Sequence, residues 1–212
     1  MIIPAVLGET YAEVEREIKL LEGHTDWLHL DVTDGHFTSV VSWGNLEDLK
    51  FLDGKTKIEA HLMVEEPELV IKDWMEVADR IIVHTEATDN LEEIIDVFSL
   101  SRIKFGVALL LPTPVETLAP YLPKLNLVQL MSIGEIGAQG HGFDDRVLEK
   151  VKTLRALAPD VIIQLDGGIN RETAPLALAA GVENLVIGSA IWRTPDPIAS
   201  LQNFQTLLEA RT

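Results

Sequence analysis

The sequence predicts an α/β chain folded as a single (β/α)8 barrel of the TIM type over residues 1–212. Two observations lead there. Apolar runs of strand length alternate with helix-period segments eight times along the chain. Several of these runs also have one uniformly apolar face and one mixed face. Leu28 and Leu30 stand against Trp27, His29 and Asp31; Ile58, Ala60 and Leu62 against Lys57, Glu59, His61 and Met63; Val128 and Leu130 against Leu127, Gln129 and Met131. Successive side chains alternate across a strand, so the apolar face belongs under helices and the mixed face inside a closed barrel. An open sheet with helices on both sides tolerates fewer inward polar groups.

The elements follow in order. Residues 2–7, IIPAVL, read as the first strand, and Thr10 can cap a helix over Tyr11 to Leu21. DWLHLDV is the second strand, followed by a loop from Thr33 to Trp43 and a short helix near Asn45 to Leu52. KTKIEAHLMV is the third, and Pro67 suits the first turn of a helix over Glu68 to Val77. DRIIVHTEA is the fourth, with Asn90 capping LEEIIDVFSL. RIKFGVALL is the fifth, and Thr113-Pro114 starts a helix to Tyr121. LNLVQLM is the sixth; the Gly-rich loop GEIGAQGHGF then leads to a helix over Asp145 to Leu157. DVIIQLD precedes a helix from Arg171 to Ala180, and ENLVIGS precedes a last helix from Asp196 to Ala210. No linker or low-complexity segment interrupts the pattern.

The bulk properties narrow the function. No apolar run reaches 18 residues, so no membrane span is expected, and the start MIIPAVLGET lacks the basic and long apolar regions of a signal peptide. There are no cysteines, which excludes disulfides and thiolate metal sites and fits a cytoplasmic protein. The net charge of −17 disfavours nucleic acid and anionic membranes as partners. A phosphate ester would have to be bound by local backbone N–H groups and a cation.

Reactive groups of such barrels sit at the C-terminal ends of strands. His29, Asp31, His61, His84, Glu86, Met131 and Asp166 all fall there. His29 and Asp31, two apart on one strand, point the same way. With His61 and Asp166 they make a four-ligand set of imidazole nitrogens and carboxylate oxygens that suits one divalent ion: zinc, iron, manganese or cobalt. The turns Gly167-Gly168 and Gly188-Ser189 follow strands seven and eight, where backbone N–H groups and a helix N-terminus can take a phosphate. Met63 and Met131 point inward and can wall the site. The loop from Gly134 to Gly142 is either a lid or a solvated connector. His24, His36 and His141 read as surface or loop residues, and Trp192 and Arg193 receive no role.

The ordered set LHLDVTDGHF, EAHLMVEEP, VHTEAT, VQLM, QLDGGIN and VIGSAIW resembles the hallmarks of the ribulose-phosphate 3-epimerase family, from Ile3 to about Trp192. The resemblance implies a phosphosugar-binding TIM barrel and a metal-dependent epimerase inverting C3 of a phosphorylated ketose, D-ribulose 5-phosphate to D-xylulose 5-phosphate. By the same resemblance His29, Asp31, His61 and Asp166 are metal ligands, and Asp31 and Asp166 are also the catalytic acid/base pair. Gly167, Gly168, Gly188 and Ser189 bind phosphate, Met63 and Met131 line the substrate pocket, and the chain is a homo-oligomer.

The pattern departs from the family in the substrate-facing shell. Ala5 stands where a serine would touch substrate, Thr33 where a methionine is usual, and Ser39-Val40 where the family has Pro-Asn. The 134–142 loop lacks the usual proline. These changes leave a hexulose phosphate such as allulose 6-phosphate as an alternative substrate. A non-catalytic phosphosugar binder is the alternative outside catalysis. A Schiff-base aldolase is disfavoured because Lys57 and Lys104 sit near strand starts, and no Asp-x-Lys-x-x-Asp motif supports a decarboxylase or synthase.

Overall fold

The computed structural model describes residues 1–49 and 56–209. Eight parallel strands close into a barrel in sequence order: β1 (Ile2–Val6), β2 (Trp27–Thr33), β3 (Lys57–Met63), β4 (Arg80–His84), β5 (Lys104–Leu109), β6 (Leu127–Met131), β7 (Ile162–Asp166) and β8 (Asn184–Ile187). Helices surround it: α1 (Tyr11–Leu21), α2 (Leu46–Leu49), α3 (Ile71–Trp74), α4 (Leu91–Ser99), α5 (Val147–Leu157), α6 (Thr173–Ala179), α7 (Ser189–Trp192) and α8 (Pro197–Glu209). Among the described residues no helix is long and apolar enough to cross a membrane.

The two-faced strands explain the closure. Leu28, Leu30, Ile58, Ala60, Leu62, Val128 and Leu130 join the apolar layer between barrel and helices. Each fully buried leucine of this layer contributes roughly 1.5–3 kcal/mol. The opposite faces turn inward and stay buried though polar: His29, Asp31, Glu59, His61, His84, Gln129, Gln164 and Asp166. A second, small apolar cluster of Ile82, Ala108 and Leu127 fills the interior where those polar groups are absent. Gly106 is needed beside it, because a Cβ there would lie 2.5 Å from Leu127 Cδ2.

Helix α1 matches its sequence signals, with Thr10 and Glu13 forming a reciprocal capping box, worth about 1 kcal/mol. Other expectations need correction. The helix expected from Thr113 to Tyr121 is reduced to 3-10 turns at Val115–Leu118 and Leu122–Lys124. Pro120, inside the expected span, lacks the N–H that a continued α-helix requires. The helix expected over Glu68 to Val77 is split into a 3-10 turn at Pro67–Leu69 and the short α3, the backbone leaving helical register at Val70 (φ −118°). Asn90 does not cap α4; its amide instead donates to Glu68 Oε1 at 2.6 Å. The short α7 was not expected. The ends of the helices expected to Leu52 and to Ala210 lie outside the described residues.

Strand register sets the site. Asp31 pairs with His61, Thr33 with Met63, and Met131 with Asp166. Neighbouring strands thus bring these side chains to one level near the C-terminal mouth of the barrel.

Candidate active site

His29, Asp31, His61 and Asp166 are all buried, and each offers a ligand atom within 4.8 Å of the other three. His29 Nε2 lies 3.3 Å from Asp31 Oδ1 and 3.6 Å from Asp166 Oδ2. His61 Nδ1 lies 2.9 Å from Asp31 Oδ1 and 3.5 Å from Asp166 Oδ2. Ligands about 2.1 Å from a tetrahedral ion stand about 3.4 Å apart, so most of these separations already suit one.

The surroundings of His29 show what the cluster lacks. Its Nδ1 is 2.5 Å from Glu59 Oε1. Glu59 is in turn paired with Arg80 and accepts Gln164 Nε2 at 2.7 Å. The opposite nitrogen, Nε2, is buried without a hydrogen-bond partner, although two carboxylates lie close to it. Burial would depress the basicity of His29, but contacts with Asp31 and Glu59 outweigh it and hold its pKa well above the ordinary imidazole value. Among the described residues no lysine or arginine pairs with Asp31 or Asp166. An unpartnered imidazole nitrogen facing two buried carboxylates that no described lysine or arginine neutralises fits a divalent ion, and Glu59 on the far nitrogen is the carboxylate–histidine arrangement that orients a metal ligand.

The two aspartates sit in unequal environments. Burial would raise the pKa of Asp31, but the close imidazoles of His29 and His61 hold it well below the usual carboxylate range. Asp166 is pushed up, by burial and then by the neighbouring charge of Asp31. Gln129 Nε2 donates to Asp166 Oδ2 at 3.0 Å. Such a split pair offers one carboxylate ready to accept a proton and one ready to donate.

Above the cluster is a pocket open to solvent. Asp31, Asp166, Met63, Met131, Gly167, Gly168, Gly188 and Ser189 all line it. His29 and His61 lie beneath, so the structure brings every sequence-nominated residue to one place. From the 134–142 loop, Gly137, Ala138, Gln139, Gly140 and His141 form one wall of the pocket. His141, expected as a surface or loop residue, lies in this loop, half-buried, and lines the pocket. Gly168 has φ +66°, and a Cβ there would lie 2.4 Å from Phe143 N. At Gly188 a Cβ would press on the Gln139 side chain. These glycines thus let the 134–143 segment pack directly against the turns after β7 and β8.

Several residues at the site carried no role in the sequence reading. Trp192 Nε1 and Gln139 Nε2 both donate to the Ala5 carbonyl, and Arg193 donates to the Gln139 carbonyl at 3.2 Å. Glu59, Gln129 and Gln164 were legible only as inward polar positions. Thr33 is buried with its hydroxyl unpartnered.

Comparison with known proteins agrees with this geometry. The model of the ribulose-phosphate 3 epimerase family matches residues 1–192. A Bacillus subtilis (strain 168) protein named ribulose-phosphate 3-epimerase is 36% identical over 204 residues, covering 92% of this chain and 93% of its own. A Schizosaccharomyces pombe protein of the same name is 35% identical over 211 residues, covering 95% and 92%. Among solved structures, a 3-hexulose-6-phosphate synthase from Salmonella typhimurium superposes with a TM-score of 0.71 at 16% identity, covering 100% of this chain and 99% of that one. KGPDC from Streptococcus mutans superposes with a TM-score of 0.72 at 14% identity, covering 99% and 97%. At that identity the structural likeness shows the barrel fold alone. The family match and these relatives, each covering nearly the whole chain, show that this chain belongs to the ribulose-phosphate 3-epimerase family.

Proposed function

We propose that this chain inverts C3 of D-ribulose 5-phosphate to give D-xylulose 5-phosphate, with one divalent ion held by His29, Asp31, His61 and Asp166. The observation that carries the reading is the orphan His29 Nε2 facing two buried carboxylates that have no lysine or arginine partner among the described residues. When bound, the ion supplies positive charge beside the ketose oxygens, which makes the neighbouring C–H more acidic. The proton transfers belong to the aspartates. One of Asp31 and Asp166 removes the C3 proton, and the other returns a proton to the opposite face, so the centre inverts. Gln129 holds Asp166 through its 3.0 Å hydrogen bond. Met63 and Met131 line the pocket and keep water from the reacting carbon.

The described lining of the pocket contains no lysine or arginine. The phosphate is therefore assigned to backbone N–H groups at Gly167, Gly168, Gly188 and Ser189. The absence of cysteine fits a cytoplasmic setting, and the family resemblance a homo-oligomer.

Ala5 in the pocket wall and the rebuilt 137–141 wall favour one second reading, epimerisation of a hexulose phosphate. The test is turnover of ribulose 5-phosphate and a panel of hexulose phosphates by chelator-treated protein, with and without Zn²⁺, Mn²⁺, Fe²⁺ or Co²⁺. Metal-restored conversion of ribulose 5-phosphate, fastest in the panel, is expected. Faster conversion of a hexulose phosphate would move the substrate to the second reading, and turnover unaffected by metal removal would overturn the metal assignment.

A further inference from the structure

The site leaves one buried imidazole without a task. His84, at the end of β4, is wholly buried, and its Nε2 lies 2.9 Å from His61 Nε2. At that separation one nitrogen donates and the other accepts. His61 Nδ1 is the nitrogen that faces Asp31 and Asp166. For Nδ1 to offer its lone pair to a cation, the ring proton must sit on Nε2, and His84 Nε2 must accept it. His84 then carries its own proton on Nδ1, where Glu86 Oε2 stands 3.4 Å away.

Glu86 is itself held in place. Its Oε1 accepts the Leu110 N–H at 2.8 Å, and Lys150, reaching in from α5, donates to the carbonyls of Leu110 and Leu111 at 2.6 and 3.1 Å. Phe37 packs against the His84 ring, with centroids 5.0 Å apart. Gln129 Nε2 also lies 3.2 Å from His61 Nε2 and 3.4 Å from His61 Nδ1, longer than the His84 contact, and donates to Asp166 at 3.0 Å.

We infer that His84 and Glu86 form a positioning relay that holds His61 in the tautomer whose Nδ1 faces the cluster and so sets the affinity for a divalent cation. The inference rests on the metal reading above. It makes the two imidazoles of the site differ: His29 is backed directly by a carboxylate, His61 by a neutral ring that passes the hydrogen bond on. Partners of this kind typically govern metal affinity by about 10–100-fold.

The test compares two substitutions at one position, with wild-type protein as reference. His84→Phe keeps a ring and removes the acceptor; His84→Gln restores an acceptor through its amide oxygen. Zn²⁺ and Mn²⁺ affinities are read by competition with a chromophoric chelator at fixed pH, alongside circular dichroism of the metal-free proteins. The expected result is a 10–100-fold loss in His84→Phe with His84→Gln within a few-fold of wild type. Equal losses in both variants would assign His84 to packing, and no loss in His84→Phe would remove it from the site; either overturns the relay. Wild-type protein that binds no divalent ion would overturn the metal reading itself, a distinguishable failure. If His84→Phe does not fold, Glu86→Ala carries the test, with about tenfold weaker binding expected and unchanged binding contradictory.

Discussion

His29, Asp31, His61 and Asp166 stand on strands β2, β3 and β7, with only Asp166 at a strand end, and are gripped by side chains that are themselves buried, among them Glu59, His84 and Gln129. The facing wall, from Gly137 to His141 and from Gly188 to Arg193, is held differently. Single hydrogen bonds join the loop to its neighbours, such as Arg193, just after α7, to the Gln139 carbonyl and Gln139 to the Ala5 carbonyl. The floor is fixed by the barrel register, so its residue types cannot drift without losing the cluster. The wall can be rebuilt without disturbing the floor. The departures from the family pattern fall at Ala5 and Thr33 on the strands and at Ser39-Val40 and the 134–142 loop beyond them, while the quartet is intact. Chemistry sits on the rigid part and substrate choice on the adjustable one.

The sharpest way to break this division is at the aspartates. Asp31→Asn and Asp166→Asn should each lower kcat on ribulose 5-phosphate by roughly 10³-fold or more, since each removes one arm of a two-sided proton transfer. Near wild-type turnover in either would contradict the assignment. Next is the support beneath the floor. Glu59→Ala deprives buried Arg80 of its counter-ion and His29 of its acceptor. Breaking a buried pair this way costs about 3–5 kcal/mol, which thermal unfolding of the metal-free protein would show as a fall in Tm of roughly 10 °C. A fall of only a degree or two would mean that the network is dispensable.

The wall should respond in KM rather than kcat. Gly168→Ala forces a side chain into a left-handed backbone position and against Phe143 N, at about 1–3 kcal/mol. Displacement of the loop should raise KM about tenfold with metal affinity unchanged. Metal affinity falling by as much as KM rises would erase the distinction between floor and wall. The smallest effect belongs to Arg193→Ala, which removes one hydrogen bond worth about 0.5–1.5 kcal/mol and should raise KM about two- to tenfold by steady-state kinetics.

The floor was the legible half. Alternation along β2 and β3 put His29, Asp31 and His61 inside, and the strand–helix count closed the barrel. Yet even there, sequence gave Glu59 and Gln129 only a direction, because their partners come from other strands through the register. His84 and Glu86 were visible as strand-end groups, but the bond from His84 to His61 depends on how β3 and β4 align. The wall was mostly illegible. Nothing local in GEIGAQGHGF says that it folds over Gly168 and Gly188, so His141, Trp192 and Arg193 had no assignable place. Pro120 is a local signal of another kind: its missing N–H stands inside the expected helix, where the chain forms 3-10 turns instead.

The central claim, that Asp31 and Asp166 work from opposite faces of the reacting carbon, is tested most directly by one turnover in D₂O. Metal-loaded protein in excess would be mixed with ribulose 5-phosphate and the C3 hydrogen followed by mass spectrometry at the earliest conversion. Two opposed carboxylates predict xylulose 5-phosphate carrying deuterium at C3 while the remaining ribulose 5-phosphate still carries protium. Product that retains the substrate's own hydrogen at C3 would mean that a single group moves the proton across, and would contradict the two-aspartate account.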